Sequence, residues 1–350
     1  MTEYKYLGVL LSNKRLTSLI TTHVSEILKK AERRVNCIRH QGFQRDGLRP
    51  ATSVTLYKKL VRPILEYAAQ VLSYRHYYYY SKHKDDRSIL RVDEHIAKLD
   101  AFQNRILKMV IPCPKNTSPA ILRLFTGCMP IAGRIEMLKL RYFWRISHAT
   151  DDNLAAVILK YKRKEFHTSK IRLIHEVFKL CRKHNCLDVW LKIRRPKENP
   201  LNSIKRAVEL HYLKTDQEKC LQSTCMYSSF RCVRGFFKAK KYIFDDFFRQ
   251  IGLFSGTGGR RSFIFALLDR CNFERTCPKC HTGSHNIIQH ALGECSRAGL
   301  LRLRLQMKLK SYNMPPTIDM KSKEELFSLA LSSKRIFLKI LCEFLTAFTI

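Results

Sequence analysis

The sequence predicts a mainly α-helical chain, with a short β-hairpin at its start and a small Cys3His finger near its end. Three observations carry this reading. Apolar residues recur at three- and four-residue intervals through most of the first 140 positions, the pattern of helices that bury one face. Cys277, Cys280, His290 and Cys295 stand at C-x2-C-x9-H-x4-C spacing within nineteen residues, enough soft donors to close a tetrahedral shell. The 65 Lys and Arg oppose 29 Asp and Glu over 350 residues, a formal charge of +36. Such self-repulsion is relieved by a polyanionic partner.

The elements follow in order. Tyr4 to Leu11 is a β-favouring run that breaks at Ser12-Asn13, as at the end of a hairpin. Ile20, Val24, Ile27, Ala31, Val35 and Ile38 then line one face of a long helix, with Lys29, Lys30, Arg33 and Arg34 off that stripe. Val54, Tyr57, Val61, Ile64, Tyr67 and Val71 repeat the spacing. Pro63 removes a backbone donor there and predicts a kink or a split. A third stripe, Ile96, Leu99, Phe102, Ile106 and Met109, ends at Ile-Pro-Cys-Pro, residues 111 to 114. Tyr77 to Tyr80 read as a surface loop, and Asp151-Asp152 as the cap of a helix beginning near Asn153.

The middle third is the most basic. From Lys160 to Arg206 there are fifteen Lys or Arg and four acids, an excess of eleven. Lys162, Arg163, Arg194 and Arg195 are candidate phosphate contacts in this connector. Ile171, Ile174, Val177, Phe178 and Cys181 have helical spacing, so the interleaved aromatics, Trp190 among them, read mostly as core. This divides the chain into a hairpin (1–15), a helical bundle (16–145), a basic helical connector (146–259), a zinc finger (260–310) and a helical tail (311–350).

Within the finger, a fully ligated Cys3His set holds shape and leaves no open position for catalysis, and Zn2+ is the ion such donors favour. His281 and His285 compete with His290 for the third place. The other ten of thirteen cysteines read as small buried hydrophobes. Ser255-Gly-Thr-Gly-Gly259 precedes Arg260-Arg261 and so fails as a phosphate loop. Asp245-Asp246, Asp85-Asp86 and Asp319 lack the context of catalytic carboxylates. Ile336 to Ile350 is broken by Lys339 and Glu343 and is too short for a membrane span, so nucleic acid is preferred over a membrane as partner. The start lacks the order of a signal peptide, and a reducing, intracellular setting is expected.

Several segments resemble, in chain order, those that follow the palm in non-long-terminal-repeat (LINE-type) retrotransposon reverse transcriptases. They are Lys5-Tyr6-Leu7-Gly8-Val9, then His23, then Leu56 to Tyr67, then Leu99 to Ile106 with Pro114 and Thr117, then Gly127 to Pro130 with Arg134. The C-terminal finger is similar to one that such polymerases often carry. The resemblance implies that Lys5, Tyr6 and Gly8 belong to a primer grip and that the following helices form a thumb. Such a thumb presents cations, Arg62 and Arg105 here, to template RNA or an RNA–DNA hybrid. It also implies that the Mg2+-binding palm aspartates lie upstream of Lys5 to Gly8. The expectation is therefore a C-terminal fragment that binds without polymerising, a palm-bearing polymerase segment being a possible partner. Two rivals use the same residues: a nucleic-acid-binding protein derived from such an element, and the product of a decayed reading frame.

Overall fold

The fold was analysed in a computed structural model, which describes residues 3–6, 9–12, 16–43, 48–72, 94–111, 113, 117–150, 152–164, 172–191, 199–222, 242, 275–284, 290–312, 340–341, 343–344 and 347–348. It is mainly helical. The chain divides into two units interleaved in sequence: Met1–His40, Leu56–Ile106 and Met129–Lys214 form the first, and Gln41–Thr55, Leu107–Cys128 and Thr215–Ile350 the second. The tyrosine insert at 77–80, Asp85-Asp86, Asp151, Asp245-Asp246, the glycine-rich stretch 255–259, His285 and Asp319 lie outside the described residues.

In the first unit, β1 (Glu3–Tyr6) pairs antiparallel with β2 (Val9–Ser12), Glu3 opposite Ser12 and Tyr6 opposite Val9. Helix α1 (Leu16–Arg39) follows. All six residues of its stripe, from Ile20 to Ile38, are at most 3% exposed, and Lys29, Lys30, Arg33 and Arg34 face solvent. Burying each of its Ile and Val side chains contributes about 1.5–3 kcal/mol at most.

The interruption at Pro63 takes the form of a π-turn. Helix α2 (Pro50–Leu56) runs into a π segment, Tyr57–Val61, before α3 (Arg62–Leu65), and the Arg62 N–H donates to the Tyr57 carbonyl five residues back. The wider turn inserts one residue where proline cannot donate, and so advances the phase of the buried face. Val54, Tyr57 and Val61 are buried as predicted, but beyond the turn the buried residues are Leu65, Ala68 and Ala69, whereas Tyr67 and Val71 are over 40% exposed. The third stripe lies on α4 (Glu94–Val110) and keeps Ile96, Leu99, Phe102 and Ile106 inside; Leu107 and Val110 are buried where Met109 was expected.

His23 and His95 are buried on α1 and α4, and Thr21 Oγ1 lies 3.4 Å from His95 Nε2. Burial holds both imidazoles below the ordinary 6.5. The unfolded chain then takes up protons that the fold refuses. Stability from these groups is full above about pH 6.5 and falls as pH drops below it. Thermal unfolding is expected at lower temperature at pH 5.5 than at pH 7.5, with a smaller difference in His23→Gln; an unchanged difference would contradict this.

Helix α6 (Ile131–Ser147) carries two buried ion-pair sites facing α8 (Arg172–Lys183). Lys139 Nζ donates to Glu176 Oε1 at 2.5 Å, with both side chains at most 3% exposed. Glu136 accepts from Lys183 Nζ (2.9 and 3.0 Å) and pairs with His184 Nε2 (2.8 Å). Lys183 Nζ also reaches the Tyr212 hydroxyl (3.1 Å) from α10 (Pro200–Gln222). Gly133, on α6, lies under that fixed ring: a Cβ there would come 2.6 Å from Tyr212 Cδ2 and 3.1 Å from Met129 Sδ. Alanine gains up to about 1 kcal/mol in helix propensity, and overpacking costs about 1–3 kcal/mol. Gly133→Ala is therefore expected to lower stability in denaturant titrations by up to about 2 kcal/mol; a rise would refute the close packing.

Helix α7 (Leu154–Lys164) is capped by Asn153, whose Oδ1 accepts the Ala156 N–H at 3.2 Å. This corrects the expected aspartate cap, because Asp152 stands one position too early and its carboxylate engages Thr150. Trp190, on α9 (Leu187–Leu191), stacks on Phe143 at 5.6 Å and meets Phe178 edge-on at 5.2 Å, so these aromatics are packing groups.

In the second unit, α5 (Pro119–Thr126) is bounded by proline at its start and by Gly127 in the left-handed region (φ 58°) at its end. Every residue from Ala120 to Thr126 is buried, Arg123 included. Arg123 forms a bidentate pair with Asp216 (2.9 and 2.5 Å), and the Tyr242 hydroxyl donates to the same carboxylate at 2.6 Å. Beside this pair, burial pushes the Cys220 thiol up to about 12. Cys113, Cys128, Cys181, Cys186 and Cys220 are buried free thiols, while Cys37 is exposed.

Candidate metal centre and cationic surface

The Cys277-Pro-Lys-Cys280 turn is held by backbone bonds before any ion is considered. Strands β3 (Arg275–Thr276) and β4 (Gly283–Ser284) pair antiparallel. Between them the Cys277 N–H donates to the Thr282 carbonyl (2.8 Å), the His281 N–H to the Cys277 carbonyl (2.9 Å), and the Lys279 N–H to Cys277 Sγ (3.4 Å). The reversal falls on His281, at φ 62°. Opposite lies a second π-turn, His290–Glu294, closed by the Cys295 N–H donating to the His290 carbonyl at 2.6 Å. That five-residue step brings His290 and Cys295 to the same side.

The four donor atoms lie within 4.8 Å of one another. Cys277 Sγ and Cys295 Sγ are 3.7 Å apart, and Cys280 Sγ and His290 Nε2 are 3.0 Å apart. Bond lengths of about 2.3 Å to sulfur and 2.0 Å to nitrogen place tetrahedral donors about 3.5–3.8 Å apart, so a bound ion would need the Cys280–His290 pair to open slightly and any wider pair to close. Cys277 and Cys295 are fully buried and His290 nearly so. Glu294 Oε2 lies 3.4 Å from His290 Nδ1, the outer carboxylate that turns Nε2 toward a metal. Arg302 donates to the Cys295 and Ala291 carbonyls (2.7 and 3.2 Å) from α11 (Gly299–Ser311) and ties the ligand turn to that helix. Hydrogen bonds from the Thr282 hydroxyl and N–H draw the Cys280 thiol down to about 6, while burial raises that of Cys295. The cluster could therefore hold a metal, and four protein donors would complete a tetrahedral shell without substrate.

Of the competing histidines, His281 is exposed and stands outside the donor set. The left-handed backbone costs a non-glycine residue about 1 kcal/mol, and His281→Gly removes that cost. The variant is expected to bind one equivalent of zinc as the parent does and to be no less stable; loss of zinc would make His281 a ligand.

The candidate nucleic-acid contacts are placed differently from one another. Arg62 Nε lies 3.4 Å from Glu66, which also takes a bidentate pair from Arg134 (2.6 and 2.9 Å). Arg105 pairs bidentately with Glu32 and lies over the Phe102 ring at 4.8 Å, its side chain half exposed. Lys5 and Tyr6 are in β1, and Lys162 and Arg163 in α7; Gly8, Arg194 and Arg195 lie outside the described residues. Residues of the quoted segments thus meet one another, Glu66 with Arg134 and Gln103 with the Met129 carbonyl (3.1 Å), and Asp100 accepts the Ala132 N–H (3.4 Å) beside them. Lys29, Lys30, Arg33 and Arg34 on α1 are exposed. They lie on successive turns, a row of cations that sequence periodicity set apart only as lying off the apolar stripe. Among the described residues no helix is long and apolar enough to cross a membrane. Comparison with known proteins finds no matching family, no similar curated protein and no similar solved structure.

Proposed function

We propose that this chain is a nucleic-acid-binding part of a LINE-type RNA-directed DNA polymerase, binding template RNA or an RNA–DNA hybrid through its phosphates. The single observation that carries the reading is the exposed cation row Lys29, Lys30, Arg33 and Arg34 on a 24-residue helix directly after the β1–β2 pair. A rigid helix with cations on successive turns suits a phosphate backbone, whose recognition depends on charge and shape more than on base sequence. The net charge of +36 agrees with such a ligand. The resemblance assigns β1–β2 to a primer grip, α1 onward to a thumb, and Cys277, Cys280, His290 and Cys295 to a structural zinc finger. Zinc, when bound, would supply a fixed cross-link between the two halves of the finger. Polymer synthesis, on this reading, belongs to palm carboxylates upstream of Lys5 to Gly8.

The test is binding of a labelled RNA–DNA hybrid by fluorescence anisotropy across a salt series. With about 6–10 phosphates neutralised, affinity falls about 10³–10⁵-fold between 50 and 200 mM salt. Changing Lys29, Lys30, Arg33 and Arg34 together to Gln should reduce the slope of log affinity against log salt by about 3–4. An unaltered slope would refute the assignment to α1, and nucleotide incorporation by the purified chain would refute the division of labour.

A further inference from the structure

Helix α7 turns its apolar side outward. Leu154, Val157, Ile158 and Tyr161 fall at i, i+3, i+4 and i+7 and share a face about 100° wide, yet they are 73%, 43%, 47% and 58% exposed. Among its described side chains the one it buries is Ala156, at 1% exposure, and the helix packs against α6. This reverses the usual surface helix, whose apolar stripe faces the core. An outward stripe of four large side chains at this spacing is what a helix presents when it docks against another helix.

Charge selects the occupant. The helix sequence, Leu-Ala-Ala-Val-Ile-Leu-Lys-Tyr-Lys-Arg-Lys, contains no acid and gathers its four cations in the last five residues. The one described charge at its other end is Asp152, which the Thr150 hydroxyl holds in its ionised form. A helix lying in a membrane surface carries its cations along the length of its polar face, which this end-loaded arrangement does not provide. A second copy would set one chain of +36 against another. We propose that the outward face of α7 docks an amphipathic helix of another protein that carries apolar residues at the same spacing and carboxylates at the end over Lys160–Lys164. Eleven residues span about 16 Å, so the patch is small and the association transient, in the micromolar range.

The probe is a synthetic acetylated 15-residue helix with leucines at i, i+3, i+4 and i+7 and glutamates in one terminal turn, labelled and titrated with the full chain at 150 mM salt. Because any acidic peptide is drawn to so basic a protein, the deciding comparison is the charge-neutral double variant Leu154→Ser, Ile158→Ser. Both positions are solvent-facing, and circular dichroism should match the parent. At least tenfold weaker peptide binding by the variant, together with loss of binding when the glutamates are exchanged for lysines, is the expected result. Equal binding by parent and variant overturns the proposal. So does a variant-sensitive binding of phosphatidylserine vesicles in place of the peptide, or a variant-sensitive dimer in sedimentation. The double variant keeps every cation, the candidate phosphate contacts Lys162 and Arg163 included, so its RNA–DNA affinity should match the parent's and either reading can fail alone.

Discussion

Cys280→Ser is expected to strip the finger of its metal and unfold it locally. The thiolate would contribute one of four bonds to a bound ion, and structural zinc sites hold their fold through about 10–16 kcal/mol of metal binding. Removing a residue in the outer layer of a metal site already costs about 10–100-fold in affinity, and a lost ligand should cost more. Zinc measured after dialysis should fall from one equivalent to a small fraction. Amide exchange across 275–284 and 290–298 should accelerate to the rate seen when a chelator is added to the parent. Helices α1 and α6, which belong to the other unit, should keep their protection. A variant that retains zinc and slow exchange would show that the four residues do not act as one site. RNA–DNA affinity measured alongside then separates the finger's role from that of α1.

The second large effect concerns Lys139. Its ammonium is fully buried against Glu176, and taking two ions from water is costly unless they remain paired. Lys139→Met deletes one partner and leaves the Glu176 carboxylate without it in the interior, a loss of about 3–5 kcal/mol. The double change Lys139→Met, Glu176→Leu removes both charges and should recover most of that stability. The signature is therefore non-additivity in denaturant titrations: a severe single variant and a mild double one. Two independent, additive losses would mean that the pair does not interact.

Which parts were legible follows from the range of the interactions involved. The α1 stripe could be read completely, because it depends on residues three and four apart. The face beyond Pro63 could be predicted only as far as the proline, since the π-turn at Tyr57–Val61 shifted the phase from Ile64 to Leu65. The donor spacing 277, 280, 290, 295 was visible, but the choice of His290 over His281 needed the left-handed turn at 281 and the π-turn at 290. Arg62 and Arg105 looked like solvent-facing cations; whether they face acids depends on Glu66 and Glu32, and Glu32 is 73 positions away from Arg105. The buried charges Glu136, Lys139 and Glu176 left no trace in the pattern, since a polar residue on a helix is read as outward-facing until its partner is known.

The ligand set carries an electrical consequence of its own. Three deprotonated sulfurs and a neutral imidazole around a divalent ion leave one surplus negative charge, largely enclosed because Cys277 and Cys295 are fully buried. Loading the site therefore creates a small anionic centre in a strongly cationic polypeptide. Arg302, whose guanidinium is anchored on the Cys295 carbonyl, and Arg297, bonded to the Lys279 carbonyl, stand ready as its counterions. Whatever cationic reach those two arginines have toward solvent should thus be diminished in the metal-bound protein.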